Sequence, residues 1–258
     1  FVNQKKAMDY LQLATQYFEP KLKGKYIHLD TILPILESLN SDFEINQIGK
    51  SVQERAIYQV KIGTGKTKIL MWSQMHGNES TTTKGLFDFF NFLQSDNEIA
   101  NRIKNEYTLL CIPMLNPDGA FLYTRENANT IDLNRDAFNA TQPEMQVLHS
   151  VCKSFQPDYC YNLHDQRTIF GTEGFNLPAT VSFLSPAFNE EREYNDVRLK
   201  AIHIINKMNN ALQQYIPNQV GRFDDSYNVN CTGDYFTTQN TSTILFEAGH
   251  YGNDYDRD

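Results

Sequence analysis

The sequence predicts an α/β fold: one domain over residues 1–258, built on a central mixed, mostly parallel twisted sheet with helices on both faces. Three observations lead there. Short apolar runs at residues 68–74, 107–115, 158–163 and 242–246 alternate with segments of helical periodicity, as strands joined by crossover helices do. Polar residues follow or end each of these runs, so four separate strands deliver reactive groups to one rim, where such sheets bind ligands. With 258 residues, 40% of them hydrophobic, the chain can bury one large core.

Residues 1–42 read as a helical lead-in. Within residues 5–18, Met8, Leu11, Tyr17 and Phe18 recur at helical spacing. Asp30 is a candidate cap for a helix ending at Leu39, with Pro34 in its first turn, where a missing N–H costs little. Residues 43–48 and 55–62 are expected strands, and 68–74 is an apolar strand of the buried kind. A helix follows over 82–93, with Leu86, Phe87, Phe90 and Leu93 on its apolar side. Residues 107–115 form a second buried strand, 116–134 a polar loop, and a helix starts near Pro143. Strands at 158–163 and 179–184 precede one long helix over 190–215, and 242–246 is the last strand. The segment Gly63-Thr64-Gly65-Lys66-Thr67 resembles the end of a phosphate-binding loop. Val60, however, stands where that motif needs glycine, and a strand follows where it needs a helix. A glycine-rich hairpin between two strands is expected instead, with no nucleotide binding.

Charge and composition narrow the function. A formal charge of −8 with no long Lys/Arg run argues against a nucleic-acid partner. No apolar run approaches the ~18–20 residues of a membrane span. The start, Phe1-Val2-Asn3-Gln4-Lys5, has neither an initiating Met nor a signal-peptide pattern. A cytoplasmic location is slightly favoured, with a periplasmic or secreted one open if a leader was removed. The four cysteines, Cys111, Cys152, Cys160 and Cys231, show no C-x-x-C spacing. Cys111 and Cys160 are expected as buried, inert thiols rather than as partners of His164 in chemistry. Oligomeric state is not readable.

The chemistry centres on Met75-His76-Gly77-Asn78-Glu79, with His164 far downstream in Asn-Leu-His-Asp. Two imidazoles and one carboxylate make a set that holds Zn²⁺ while keeping one position open for water, whose pKa then falls to about 7. Asn116-Pro117-Asp118-Gly119 is a turn signature with a structural role. His28, His149, His203 and His250 lack motif context and are expected as surface or satisfied polar residues.

Taken in order, His76-x-x-Glu79, Asn116-Pro117-Asp118-Gly119, Arg125, Asp132-Leu133-Asn134-Arg135, His164 and Glu247 resemble the zinc carboxypeptidase family, the funnelin-type metallopeptidases. The resemblance spans roughly residues 50–249, and residues 72–79 and 162–166 look closest to an uncharacterised bacterial branch. It implies one Zn²⁺ per chain on His76, Glu79 and His164. Glu247, ending an apolar strand that raises its pKa, would take a proton from water and pass it to the leaving amine. Arg125 would steady the developing oxyanion, and Asn134 with Arg135 would grip the substrate's terminal carboxylate. Asp132 would orient the His76 imidazole. Tyr227 falls, with a one-residue gap, near the place of the family's mobile tyrosine, and Gly233 stands at the specificity position before Asp234-Tyr235. The implied activity is hydrolysis of the C-terminal bond of peptides, cell-wall peptides among them. The alternative is a zinc-dependent deacylase of N-acyl amino acids, of the succinylglutamate desuccinylase or aspartoacylase kind, which shares the metal set and the base. A non-catalytic zinc or peptide-binding module would require loss of the base or a ligand, and all are present.

Departures from the pancreatic-type pattern matter. Gly77-Asn78 stands between the first two ligands where the family often carries an Arg, so subsite preferences do not transfer. No acidic residue marks a preference for basic side chains, and Arg222 is a candidate for recruiting an acidic substrate. The chain ends 11 residues after Glu247, where the family usually continues into another helix; whether that closing helix is missing stays open.

Overall fold

The computed structural model describes residues 9–256, so the start of the expected first helix, including Met8, lies outside the described residues. Helix α1 (Tyr10–Gln16) begins at Asp9, whose carboxylate accepts the Gln12 N–H. In α2 (Leu29–Ser38), His28 rather than Asp30 holds the cap, and Pro34 lies inside the helix rather than in its first turn. Burial of Ile32, Ile35 and Leu36 along one face holds the helix together through the missing N–H. Strands β1 (Glu44–Lys50) and β2 (Ala56–Ile62) pair antiparallel, and β3 (Thr67–Trp72) follows. Helix α3 (Thr81–Leu93) buries Leu86, Phe87, Phe90 and Leu93, as its periodicity requires.

Helix α4 (Glu98–Glu106), capped by the Asn97 side chain, leads directly into β4 (Tyr107–Ile112) and is not among the expected elements. Nor is α5 (Pro117–Leu122), which lies in the expected polar loop. There Asn116 Oδ1 accepts the Gly119 N–H at 2.9 Å and Pro117 takes the first helical position, so the turn signature starts a helix. A single 3₁₀ turn (Leu133–Arg135) precedes α6 (Pro143–Phe155) and β5 (Tyr159–Asp165). After β6 (Val181–Leu184), α7 (Asp196–Leu212) starts later than expected because the Asn195 side chain caps it by accepting the Arg198 N–H. The short β7 (Val220–Arg222) and α8 (Thr232–Thr238) are further unexpected elements, and β8 (Ser242–Ala248) is last.

The eight strands form one sheet in the order β1-β2-β4-β3-β5-β8-β6-β7. The central four, β4, β3, β5 and β8, are mutually parallel, so their carboxyl ends share one rim. The strands that flank this centre run antiparallel to it, β2 against β4 and β6 against β8. The expected hairpin at Gly63–Thr67 is therefore corrected: β4 lies between β2 and β3, and the segment is a crossing connection. Its glycines permit backbone-on-backbone packing, since a Cβ at Gly65 would stand 1.9 Å from the Glu106 carbonyl carbon, and Gly63 has φ +86°.

Side chains alternate between two cores as strand geometry demands. Ile69, Met71, Leu109 and Cys111 join α2 and α3 on one face. Leu70, Trp72, Leu110, Ile112 and Cys160 face Met145, Leu148 and Val151 of α6, and Phe236 of α8, on the other. Helix α7 covers β6 and β8 through Ala201, Phe183 and Ile244. Each fully buried Leu or Phe contributes about 1.5–3 kcal/mol. The result is a single α/β domain whose open rim collects the polar residues. No helix among the described residues is long and apolar enough to cross a membrane.

Candidate metal centre and active-site cavity

The turn after β3 is held before any ligand enters it. Leu115 and Asn116 donate their N–H groups to the Ser73 and Gln74 carbonyls, zipping the turns after β3 and β4 together. Gln74 has a left-handed backbone (φ 44°), and its side-chain amide donates to the carbonyls of Gly77 and Ile27 at 2.9 and 2.8 Å. Gly77 lies flat against α5: a Cβ there would stand 1.8 Å from the Gly119 carbonyl carbon and 2.1 Å from the Ala120 nitrogen. Only glycine fits, and the Glu79 N–H closes onto the His76 carbonyl at 3.1 Å, bringing the two side chains to one side.

His164, at the carboxyl end of β5, faces that pair. His76 Nδ1 lies 2.8 Å from Glu79 Oε1, His164 Nδ1 lies 3.0 Å from Glu79 Oε2, and the two Nδ1 atoms are 3.2 Å apart. All three residues are buried, at 2% exposure each. Zn–N bonds of ~2.0–2.1 Å in tetrahedral array put ligands about 3.3 Å apart, so these spacings fit one such ion. The three ligand atoms lie within 4.8 Å of one another, and this is the metal-binding group that stands out among the described residues. The donor set of two neutral nitrogens and a carboxylate suits zinc.

Asp132 ties the centre to its surroundings. One oxygen accepts from His76 Nε2 at 3.0 Å and from the Asn134 N–H at 2.8 Å; the other accepts from Arg125 Nε at 3.0 Å. With a proton fixed on Nε2, His76 presents its Nδ1 lone pair to the ion site. Arg125 also donates to Glu79 Oε1 at 3.3 Å. Burial disfavours a charged His76, but Glu79 and Asp132 hold its pKa above the ordinary value. Burial wins at His164, whose pKa is lowered. Glu79 stays ionised against burial because both imidazoles contact it, and Asp132 does so through His76 and Arg125. An environment that raises proton affinity at Nδ1 favours a metal cation by the same electrostatics.

A cavity of about 370 Å³ opens beside the centre. It is lined by all three candidate ligands and by Arg125, Asn134, Arg135, Gly233 and Glu247. Burial pushes the Glu247 carboxyl up to about 8, the Glu79 and Asp165 charges adding to it while His76 and Arg125 oppose. Arg135 donates to the Asn134 carbonyl at 2.7 Å and to Cys231 Sγ at 3.3 Å, and Asn134 Oδ1 accepts the Thr232 N–H at 2.9 Å. Gly233 leaves no room for a side chain, since its Cβ would meet Pro186 at 2.7 Å. Asp132 sits just behind the lining. Tyr227 and Arg222 are not among the lining residues; Arg222 is exposed and leans on Asp225 at 3.6 Å.

The cavity also contains residues that no motif marks, among them Cys231, Asn162 and Arg167. Residue 231 could have been suspected from its place two before Gly233; the others depend on how distant loops fold. Of the four histidines without motif context, His149 departs from expectation: its ring stacks on Tyr235 and its Nε2 is buried without a partner among the described residues. Cys111 and Cys160 are buried, as expected.

Comparison with known proteins follows the same line. The model of a family described as zinc carboxypeptidase matches residues 32–158. Carboxypeptidase 2 of Trichophyton rubrum is 25% identical over 100 residues, covering 38% of this chain and 19% of its own length. Cytosolic carboxypeptidase 6 of Mus musculus is 28% identical over 136 residues, covering 49% of this chain and 25% of its own. The chain thus spans a quarter or less of the length of these curated relatives. The crystal structure of a metallo-carboxypeptidase from Burkholderia cenocepacia superposes with a TM-score of 0.70 at 15% identity, covering 90% of this chain and 61% of that one, a likeness of fold. Family model and relatives point the same way: residues 32–158 match the zinc carboxypeptidase family, and the fold is shared with a metallo-carboxypeptidase.

Proposed function

We propose that this chain hydrolyses the C-terminal peptide bond of peptides with one Zn²⁺ held by His76, Glu79 and His164. The observation that carries the proposal is the Nδ1–carboxylate–Nδ1 cluster, with Glu247 and the Asn134–Arg135 pair lining one cavity beside it. Zn²⁺ bound there supplies a Lewis acid that polarises the scissile carbonyl and lowers the pKa of water to about 7. Glu247, buried near the end of β8, accepts the proton of the attacking water and returns it to the leaving amine. Arg125, fixed by Asp132 and Glu79, offers its remaining N–H groups to the oxygen on which charge develops. Arg135 receives the terminal carboxylate, its guanidinium aimed by the Asn134 carbonyl and the Cys231 sulfur. Asn134 presents its side chain from the same 3₁₀ turn.

The test compares release of a C-terminal amino acid from blocked dipeptides with hydrolysis of N-acyl amino acids by zinc-loaded protein. Activity confined to the N-acyl amino acids rejects the proposal in favour of a deacylase. In the same assay, Glu247→Gln should retain zinc and lose turnover by about 10²–10⁴-fold; undiminished turnover removes Glu247 from its role.

A further inference from the structure

Next to the catalytic cavity lies a second one of about 230 Å³. Asp165, Gln166, Arg167 and Thr168 line both, so the two meet along the segment after His164. Asn134, Arg135 and Gly233 line only the first. The turn that carries two of the ligands borders both spaces: His76 and Glu79 line the first, Asn78, Ser80 and Thr81 the second. A peptide held by its terminus at Arg135, with its scissile carbonyl beside His76, Glu79 and His164, would extend its acyl side toward that second space.

The second cavity has unmet hydrogen-bonding capacity. Asn78, between the first two ligands in sequence, is 9% exposed, and its Oδ1 is buried with no partner among the described residues. The same holds for the Thr81 hydroxyl at the start of α3. Buried polar atoms without partners cost free energy unless a ligand supplies them. Two cations also line the space, Lys25 and Arg167, and neither forms an ion pair among the described residues; Arg167 rests over the Tyr123 ring at 5.6 Å. Of the two carboxylates present, Asp165 is held by the Thr81 and Thr82 N–H groups at 2.7 and 3.2 Å. Asp254 is the other.

We propose that this second cavity is a subsite for an acidic residue of the substrate, on the acyl side of the scissile bond. Arg167 and Lys25 pair with its carboxylate, the Thr81 hydroxyl donates to it, and Asn78 Oδ1 accepts a backbone N–H of the same peptide. The inference rests on the carboxypeptidase reading and adds a substrate class to it: peptides with an acidic side chain shortly before the bond that is cut.

The experiment uses zinc-loaded protein and N-acetylated peptides that share one C-terminal residue and carry either Glu or Gln, one or two positions before the scissile bond. In the wild type, kcat/KM should favour Glu over Gln by about tenfold at one of the two positions, the discrimination that one charge-assisted hydrogen bond at a part-exposed site supplies. Arg167→Gln should bring that ratio close to one by slowing the Glu peptide, and Thr81→Val should narrow it. Equal rates on Glu and Gln peptides at both positions overturn the subsite while leaving peptide hydrolysis standing, as does a ratio that survives Arg167→Gln. If no peptide is cleaved, the carboxypeptidase reading fails and takes the subsite with it.

Discussion

Asp132 is the residue whose removal tests the architecture of the metal centre most directly. Its carboxylate accepts three hydrogen bonds, from His76 Nε2, the Asn134 N–H and Arg125 Nε, all between 2.8 and 3.0 Å. The first fixes the His76 tautomer, the second caps the 3₁₀ turn that carries Asn134 and Arg135, and the third aims Arg125. Loss of an outer partner of a metal-bound imidazole costs about 10–100-fold in metal affinity, or about 1.4–2.8 kcal/mol. Loss of the cap adds about 1 kcal/mol of instability. Asp132→Ala should therefore bind zinc about 10–100-fold more weakly, measured by competition with a chromophoric chelator. Its melting temperature should drop by about 2–4 °C for each kcal/mol lost. Asp132→Asn separates the roles. Its single carbonyl oxygen can still accept from His76 and Asn134, but its NH₂ then faces Arg125 Nε–H, donor against donor. That variant should keep more of the zinc affinity than the alanine variant and lose turnover through Arg125. Zinc affinity unchanged in folded Asp132→Ala would show that His76 does not depend on this partner.

Gly77→Ala presses a methyl into the backbone of Gly119 and Ala120, so a loss of about 3 kcal/mol or more and substoichiometric zinc are expected by thermal melting and elemental analysis. Gly85→Ala on the open face of α3 meets nothing within 4 Å and should instead stabilise by up to about 1 kcal/mol; similar melts for the two would refute the packing argument. Arg198, 1% exposed, donates to the carbonyls of Ser185, Arg192 and Glu193 and to Asp225. Arg198→Met removes this donor from the three carbonyls and leaves Asp225 only its longer contacts to Arg192 and Arg222, at 3.5 and 3.6 Å, so it should cost about 3–5 kcal/mol in denaturant unfolding, and a cost under about 1 kcal/mol would contradict it. Burial pushes the Asp234 carboxyl up to about 7, so between its ordinary range and 7 the folded state binds more protons than the unfolded one. That contribution to stability is full near pH 4 and lost as pH rises through 7. Asp234→Asn should remove it, so the stability difference between wild type and variant, measured on metal-free protein, must change across this range; a constant difference rejects the shift.

The sequence by itself determined the strand–helix alternation and the buried central strands, and it singled out His76, Glu79, His164 and Glu247, which the fold brings to one cavity. Each of these rests on local signals: runs of apolar side chains, a motif of fixed spacing, and a polar residue at a strand's end. Short helices such as α8 were not legible, because Thr-Gly-Asp-Tyr-Phe-Thr-Thr has little intrinsic helix preference and is held by packing of Phe236 against Trp72. Strand order was not legible either, and so the Gly63–Thr67 connection reads locally as a hairpin although β4 separates its strands. Only the tertiary structure decided that Gly77 must lack a side chain, that Asp132 serves His76, Asn134 and Arg125 at once, and that Asn78, Thr81 and Arg167 surround a second cavity. These depend on contacts between residues tens of positions apart, set by how strands pair and loops cross, and no short-range pattern of residue types encodes such distances.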